Sequence, residues 1–483
     1  MHAKLLFCTL TMITAASLMG CVTVGPDYAP PALDVPAAWN QESAPARPET
    51  TATATGDISQ WWRSLNDPLL SELVAEALQA SPDLRSAQAK LRESRARLAV
   101  AKAGRYPEVT ASGSASRSQS SEDTGSGDSR ELFSAGFDAS WEVDVFGGVR
   151  RGVEAARADL ASSESNLDDA RVTLVAEVAR NYVEVRTQQM LLGIARDNLA
   201  SQSETLQLTE WRAQAGIVSS QDVEQARTSR EQTRALIPRL EISLAEAEHR
   251  LDILLGKPPG TLRARFAAAG GLPAVPEKIA VGIPADTLRQ RPDVRSAERT
   301  LAAETARIGV AEAARYPSFK LSGSVGLEAL TLSALGNSGS VASSLLAGIT
   351  APVFNAGRLR NQVEIQDAKR EQSQVAYEKT VLNALQDVEN ALVSLARTRE
   401  REEALAKAVE SARNAERLAR QRYSSGLIDF QSVLTTQRTV LTVEESLAST
   451  RSDGVLALIS LYKALGGGWS PQNTPIQAGK DTP

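Results

Sequence analysis

Phe133-Ser-Ala-Gly-Phe-Asp-Ala-Ser-Trp-Glu-Val-Asp-Val145 alternates without a break. Phe133, Ala135, Phe137, Ala139, Trp141, Val143 and Val145 interleave with Ser134, Gly136, Asp138, Ser140, Glu142 and Asp144. An extended strand with this pattern has one apolar and one polar face. A weaker alternation, Val109 to Arg117, precedes it, and the Ser-, Gly- and Asp-rich stretch Ser118 to Arg130 between them reads as an exposed loop. Further on, Phe319, Leu321, Gly323 and Val325 alternate with Lys320, Ser322 and Ser324, and Leu345 to Phe354 alternates less clearly. Four strands of roughly 9 to 12 residues match the length that crosses a bilayer at a tilt. In lipid every backbone group must be paired, so a spanning sheet has to close, and about eight strands make the smallest workable barrel. Either the four strands form an ordinary soluble sheet, or several chains share one barrel. The apolar face of Phe133 to Val145 has little else in the sequence to cover it, which favours closure by sister copies. Asp138, Glu142 and Asp144 then face a water-filled lumen, and Phe133, Phe137 and Trp141 face lipid.

Outward from this strand, the chain repeats itself. Ser81-Pro-Asp-Leu-Arg-Ser-Ala87 matches Arg291-Pro-Asp-Val-Arg-Ser-Ala297, and Asp83 and Asp293 lie 210 residues apart. The same spacing pairs Arg105-Tyr106-Pro107 with Arg315-Tyr316-Pro317, Gly216 with Gly426, and Gly256 with Gly466. The reading is two tandem copies of one unit, residues 81–290 and 291–470, each with a helix, two strands, a long helical hairpin and a connector. Pro82 opens a helix that ends at Tyr106-Pro107, because the residue before proline is pushed out of the helical region. Gly148 to Ala215 holds no proline and as a helix would span ~100 Å. Leu160, Leu167, Leu174, Val178, Val185, Leu192, Leu199 and Leu206 recur along it at coiled-coil spacing. The return helix, Ile217 to Leu255, is expected to kink at Pro238. Laid end to end, return helix and opening helix nearly equal the long one.

The 483 residues carry a net charge of -5, which argues against nucleic acid as a partner. Residues 1–20 read as a signal peptide: Lys4, then an apolar run from Leu5 to Met19 too short to span a membrane. Leu18-Met19-Gly20-Cys21 has the form of a bacterial lipobox, with Cys21 as the acylated first residue of the mature chain. Residues 21–80 form a lipidated N-terminal segment and 471–483 a C-terminal tail. Once Cys8 and His2 leave with the signal, Cys21 and His249 are the remaining cysteine and histidine. No internal disulfide, Cys/His metal cluster or histidine-based triad can be built from them, and nothing calls for a cofactor. His249 reads as a surface residue of a helix, and an enzyme is disfavoured.

Several segments resemble the TolC-like outer membrane factor family, in its NodT/OprM lipoprotein branch. They are Cys21-Val-Thr-Val-Gly-Pro-Asp-Tyr-Ala-Pro-Pro31, Trp61-Trp-Arg-Ser-Leu-Asn-Asp-Pro-Leu-Leu70, Trp141-Glu-Val-Asp-Val-Phe-Gly-Gly148, Ala351-Pro-Val-Phe-Asn-Ala-Gly-Arg358 and Leu461-Tyr-Lys-Ala-Leu-Gly-Gly-Gly-Trp469. The resemblance implies a mostly α fold with a small β part: a homotrimer with a twelve-stranded outer-membrane barrel, continued by a periplasmic coiled-coil barrel. It implies passive conduction of small molecules, powered by a proton-driven inner-membrane pump through a periplasmic adaptor. It places the closed entrance at the turns Trp211-Arg-Ala-Gln-Ala-Gly216 and Gln421-Arg-Tyr-Ser-Ser-Gly426, with Arg212, Gly216, Arg422, Tyr423 and Gly426 as tip residues. Ser432 and Thr435 stand where relatives often carry aspartates, leaving Asp222 and Asp429 as the nearby carboxylates for a selectivity ring. Asp222 equally fits a charge favoured at a helix N-terminus. The competing reading is a structural coiled-coil lipoprotein or adaptor without a channel.

Overall fold

The computed structural model describes residues 23–32, 35–39, 58–123, 125, 127–267, 270–276 and 284–469. The signal peptide, Cys21 and the tail 471–483 lie outside them. The duplication is repeated in three dimensions, element by element. After α1 (Pro68–Ala80), which precedes the first copy, α2 (Pro82–Ala103) leads to β1 (Glu108–Gln119), β2 (Ser129–Val143), α3 (Gly148–Gln214) and α4 (Ser220–Leu254). After the short α5 (Pro284–Gln290) at the end of that copy, α6 (Pro292–Ala313) leads in the second to β3 (Ser318–Ala329), β4 (Val341–Thr350), α7 (Arg358–Ser424) and α8 (Phe430–Ala464). The paired helices have equal lengths: 22 residues in α2 and α6, 67 in α3 and α7, and 35 in α4 and α8.

Local chemistry accounts for the helix ends. Pro68 follows Asp67, whose carboxylate accepts the Leu70 N–H at 3.0 Å and caps α1. Pro82 and Pro292 open α2 and α6 at positions where a missing N–H costs nothing. Of the eight seam positions of α3, Leu167, Leu174, Val178, Val185, Leu192 and Leu206 are buried, and Leu160 and Leu199 are half-buried. Pro238 does not end α4, which runs on to Leu254. Both Pro238 and Arg234, whose carbonyl loses its donor, face solvent, so water can take the bond that proline cannot supply. The end-to-end stacking of short helices is present at both junctions. Gly256, just past α4, lies against Ala80 O and Pro82 Cδ, and Gly466, just past α8, lies against Gln290 O and the Arg291 backbone.

The four strands form one antiparallel sheet in the order β1-β2-β3-β4. β2 begins four residues before the predicted Phe133 and stops at Val143, two short of the predicted Val145. The alternation continues in sequence, but the Asp144 carboxylate is taken by the N-terminus of α3. It accepts the N–H groups of Val149 at 3.1 Å and Arg150 at 2.8 Å. Asp144 is thus a helix-capping residue one position beyond the strand, not a member of its polar row.

Two compact units emerge, and neither coincides with a repeat. The first takes the described parts of Met1–Ala32, Lys90–Glu164 and Ser296–Glu378, including the whole sheet. The second takes those of Leu33–Ala89, Ser165–Arg295 and Lys379–Pro483. In the second, the Trp61-Trp62 segment is buried, and Trp61 stacks on Tyr462 with centroids 5.1 Å apart. The Tyr182 hydroxyl donates to Asp67, and Arg186 Nε donates back to that hydroxyl at 3.1 Å. The Arg186 guanidinium sits 5.3 Å from the centroids of both the Tyr182 and Phe266 rings. Burial, reinforced by Asp67, pushes the Tyr182 pKa up to about 12. Arg291 is buried too; it pairs with Asp293 at 2.7 Å and donates to Ala464 O at 3.0 Å, tying the end of α8 to the start of α6.

Candidate functional site: a two-faced sheet and two helical turns

Register turns the alternation of single strands into two continuous faces. Phe137 pairs with Ala111 on one side and Val325 on the other, and Trp141 pairs with Leu321, which pairs with Ala347. Partners across a ladder share a face, so Val109, Phe133, Phe137, Trp141, Val325 and Ile349 lie on one apolar surface. The opposite surface carries Thr110, Ser112, Asp138, Glu142, Lys320 and Ser324. Its hydroxyls are laced together: Ser112 donates to Asp138 Oδ2 at 2.7 Å, Ser114 and Ser134 lie 2.8 Å apart, and Ser324 and Ser344 lie 2.7 Å apart. Ala342 and Leu346 are the β4 residues that interrupt the polar row. The apolar face stays exposed in a single chain, with Phe137 at 59%, Leu345 at 80% and Ile349 at 69%. The outer edges of β1 and β4 have no partner strand among the described residues. A soluble protein rarely leaves so large an apolar patch and two free edges to water.

The junction between β2 and α3 is tied in three ways. Trp141 Nε1 donates to Arg105 O at 3.1 Å, and Phe146 stacks on Tyr316 at 4.7 Å. The third tie was not read from sequence. Arg151, 4% exposed, reaches Val24 O and Gly25 O at 3.1 Å, Asp27 at 2.8 Å and Glu154 at 2.8 Å. Val24 N–H also donates to Phe146 O at 3.2 Å. Burial alone would lower the Arg151 pKa, but Glu154 and Asp27 hold it above its usual value. The segment just after Cys21 is therefore clamped to the start of α3. The Gly25-Pro-Asp27 motif was visible in sequence; its distant arginine partner was not.

The helical turns lie in the second unit. Each closes with a glycine at φ +72, Gly216 and Gly426, where a side chain would strain the backbone. Ile217 N–H donates to Arg212 O and Leu427 N–H to Arg422 O, both at 2.9 Å. The two predicted carboxylates serve as caps. Asp222 completes a capping box with Ser219 at the start of α4, and Asp429 accepts the Ser432 N–H at 3.0 Å at the start of α8. The Ser432 hydroxyl and N–H hold the Asp429 carboxyl below its usual range. Thr435 donates to Gln431 O and is exposed. The two arginines, equivalent in sequence, part company. Arg212 donates to Tyr423 O at 2.6 Å with its guanidinium 4.5 Å from the Tyr423 centroid, whereas Arg422 is exposed. Tyr423 packs on Phe430, Val433, Leu434 and Leu206. The first-copy counterparts of Tyr423 and Phe430 are Ala213 and Ser220, so this core belongs mainly to the second hairpin.

A two-faced sheet of membrane length joined to long seamed helices is the build of an exit duct in an outer membrane, not of an enzyme. The family description "Outer membrane efflux protein" matches residues 73–257 and 283–467, two blocks whose starts and ends lie 210 residues apart. The Rhizobium leguminosarum bv. trifolii nodulation protein T is 33% identical over 466 residues, covering 94% of this chain and 96% of that protein. The Pseudomonas putida solvent efflux pump outer membrane protein SrpC is 32% identical over 475 residues, covering 96% and 99%. The solved outer-membrane channel OprN superposes with a TM-score of 0.86 at 34% identity, covering 93% of this chain and all of that one. This chain belongs to the outer membrane efflux protein family. Its place is the outer membrane, reaching into the periplasm, and its work is efflux.

Proposed function

We propose that three copies of the chain share one twelve-stranded barrel and form the passive outer-membrane duct of a tripartite efflux system. A periplasmic adaptor joins its helical turns, and a proton-driven inner-membrane pump supplies the energy. The observation that carries this reading is the sheet: an apolar face, a hydroxyl- and carboxylate-bearing face, and two free edges in one chain. Phe133, Phe137 and Trp141 face lipid, and Asp138 and Glu142 face the lumen. Cys21 carries the lipid. It lies three residues before Val24, so at most ~10 Å of chain separates the acylated residue from the Arg151 clamp. That distance sets the β2-α3 junction at the inner leaflet surface. Arg212, Gly216, Arg422, Tyr423 and Gly426 form the tip, and Asp222, Asp429, Ser432 and Thr435 line its entrance.

The test is a Cys21→Ala variant. Detergent is expected to be needed to release it from the outer membrane, and unboiled it is expected to run as a heat-sensitive trimer. A variant released as a soluble periplasmic monomer would reduce the protein to a tethered coiled coil.

A further inference from the structure

Where the sheet gives way to the helices, the first unit holds a recess of about 640 Å³. Two strand-to-helix turns bound it, residues 143–149 between β2 and α3 and residues 350–358 between β4 and α7, together with the end of α6. Glu142, Ser318 and Thr350 line it on the side of the sheet. Ser318 pairs with Thr350, and Glu142 pairs with Lys320 two residues further along β3, so all three lie on the polar face. That is the face assigned to the lumen, and the recess therefore lies on the path of the cargo. We infer that it is a resting subsite for uncharged aromatic molecules that carry a hydroxyl or carbonyl group. The inference rests on the shared-barrel reading and adds a class of cargo to it.

Small residues keep the space open and large ones give it an apolar wall. Gly148, Ala313 and Ala314 line it where α3 and α6 come together, and a Cβ on Gly148 would lie 3.2 Å from that of Ala313. Phe146 and Tyr316, stacked 4.7 Å apart, present an aromatic surface that Val149, Val310 and the buried Leu359 extend. Ligand pockets typically enclose roughly 300 to 1,000 Å³, with mostly apolar walls and a few polar groups to fix orientation. The recess has both the size and the make-up.

Its charges decide the class of occupant. Asp144 is committed to the N–H groups that start α3 and to Arg150 at 3.3 Å. Glu142, Arg358 and Gln362 remain, one carboxylate, one guanidinium and one amide. Among the described residues, none of these three side chains makes a hydrogen bond or an ion pair. An ion of either sign would gain from one rim charge and lose to the other. An uncharged molecule avoids that conflict: its ring rests on Phe146 and Tyr316, and its hydroxyl or carbonyl finds a partner among the three free side chains. The neighbouring wall of hydroxyls and carboxylates gives an apolar ring no such shelter from water. The hold is weak, because Tyr316 stays 41% exposed, and a conduit requires sites that release what they bind.

Photolabelling of the full-length protein in native outer membranes tests the subsite. The probe is 4-(hydroxymethyl)benzophenone, an uncharged aromatic ketone, and labelled peptides are located by mass spectrometry. Labelling of residues 142–149, 310–318 and 351–362 is expected to saturate and to be displaced by excess diphenylmethanol, whereas labelling of the lipid-facing strand residues is expected to rise without limit. Ala314→Phe, which fills the recess, and Tyr316→Ala, which removes half its aromatic surface, are each expected to lower the saturable part about five-fold. The corresponding benzophenone carboxylate and trimethylammonium derivatives are expected to label it more weakly. Recess labelling that never saturates in the native protein, or that both variants leave unchanged, overturns the subsite. Equal or stronger labelling by either charged derivative overturns the class of occupant. If these results come from a protein that runs as a trimer unboiled, the duct itself stands. A protein that is monomeric unboiled removes the shared barrel and the subsite with it.

Discussion

Tyr182→Phe removes one oxygen from the buried cluster of Asp67, Tyr182 and Arg186, and its cost can be worked out in two ways. Asp67 loses the hydroxyl donor to Oδ2 while keeping its cap on α1, and Arg186 Nε loses its acceptor at 3.1 Å. Hydrogen bonds to charged groups contribute about 1.5 to 3 kcal/mol, and a buried donor left unpaired adds to the loss. The second route is through protons. Burial and the Asp67 carboxylate raise the Tyr182 pKa from 10.0 to about 12. The folded state therefore holds the phenol proton more tightly than the unfolded chain does. That contribution is fully present below pH 10 and is lost as pH climbs through 12. That linkage weakens the native protein between pH 10 and 12, whereas the variant has no phenol to titrate. The urea midpoint of the helical circular dichroism signal, in detergent, reads the difference. At pH 7.5 the variant is expected to be less stable by about 2 kcal/mol, and by pH 11.5 most of the gap should have closed. Because both proteins carry the same lysines and arginines, their common alkaline titration cancels in the difference. Equal midpoints at pH 7.5, or a gap that persists unchanged at pH 11.5, would refute the reasoning.

Three further outcomes follow from other sites. Gly426→Val places a branched side chain at φ +72, a strain of about 1 to 2 kcal/mol or more; faster proteolysis at the turn and weaker drug tolerance are expected, and unchanged tolerance would count against a functional tip. Arg291→Leu leaves the partly exposed Asp293 and Asp387 without their shared cation and the end of α8 without its donor, at a cost of about 1.5 to 3 kcal/mol. Its measure is the dissociation temperature of the assembled protein, which should fall. Phe137→Arg puts a charge on the face assigned to lipid and is expected to cost about 2 to 4 kcal/mol near the bilayer centre, seen as a drop in heat-stable assembly, whereas Asp138→Ser should assemble normally.

The parts of this fold that depend on periodicity could be read from sequence. Spacing alone announced the heptad seam of α3, the two-faced alternation of Phe133 to Val143 and the 210-residue duplication, because each repeats one physical requirement many times. Features settled by a single partner could not be read that way. Asp144 continues the alternation perfectly, yet the N–H groups of Val149 and Arg150 compete for its carboxylate and the strand ends before it. Arg212 and Arg422 are indistinguishable in the repeat, and only the placement of Tyr423 decides that one is engaged and the other free in solvent. Pro238 sits inside α4 without ending it, because the exposed Arg234 carbonyl has water as an alternative partner. Asp222 and Asp429 both turned out to be committed to caps, a role open to any aspartate near a helix start.

The equal lengths of α3 and α7, and of α4 and α8, carry a consequence for how such a protein can change size. Each residue inserted into one long helix would push its turn about 1.5 Å further than its twin. A ring assembled from unequal hairpins would have a ragged rim, and a docking protein would meet only the longer ones. Keeping the paired helices equal therefore needs matched changes in both repeats, in steps that keep the seven-residue seam in phase.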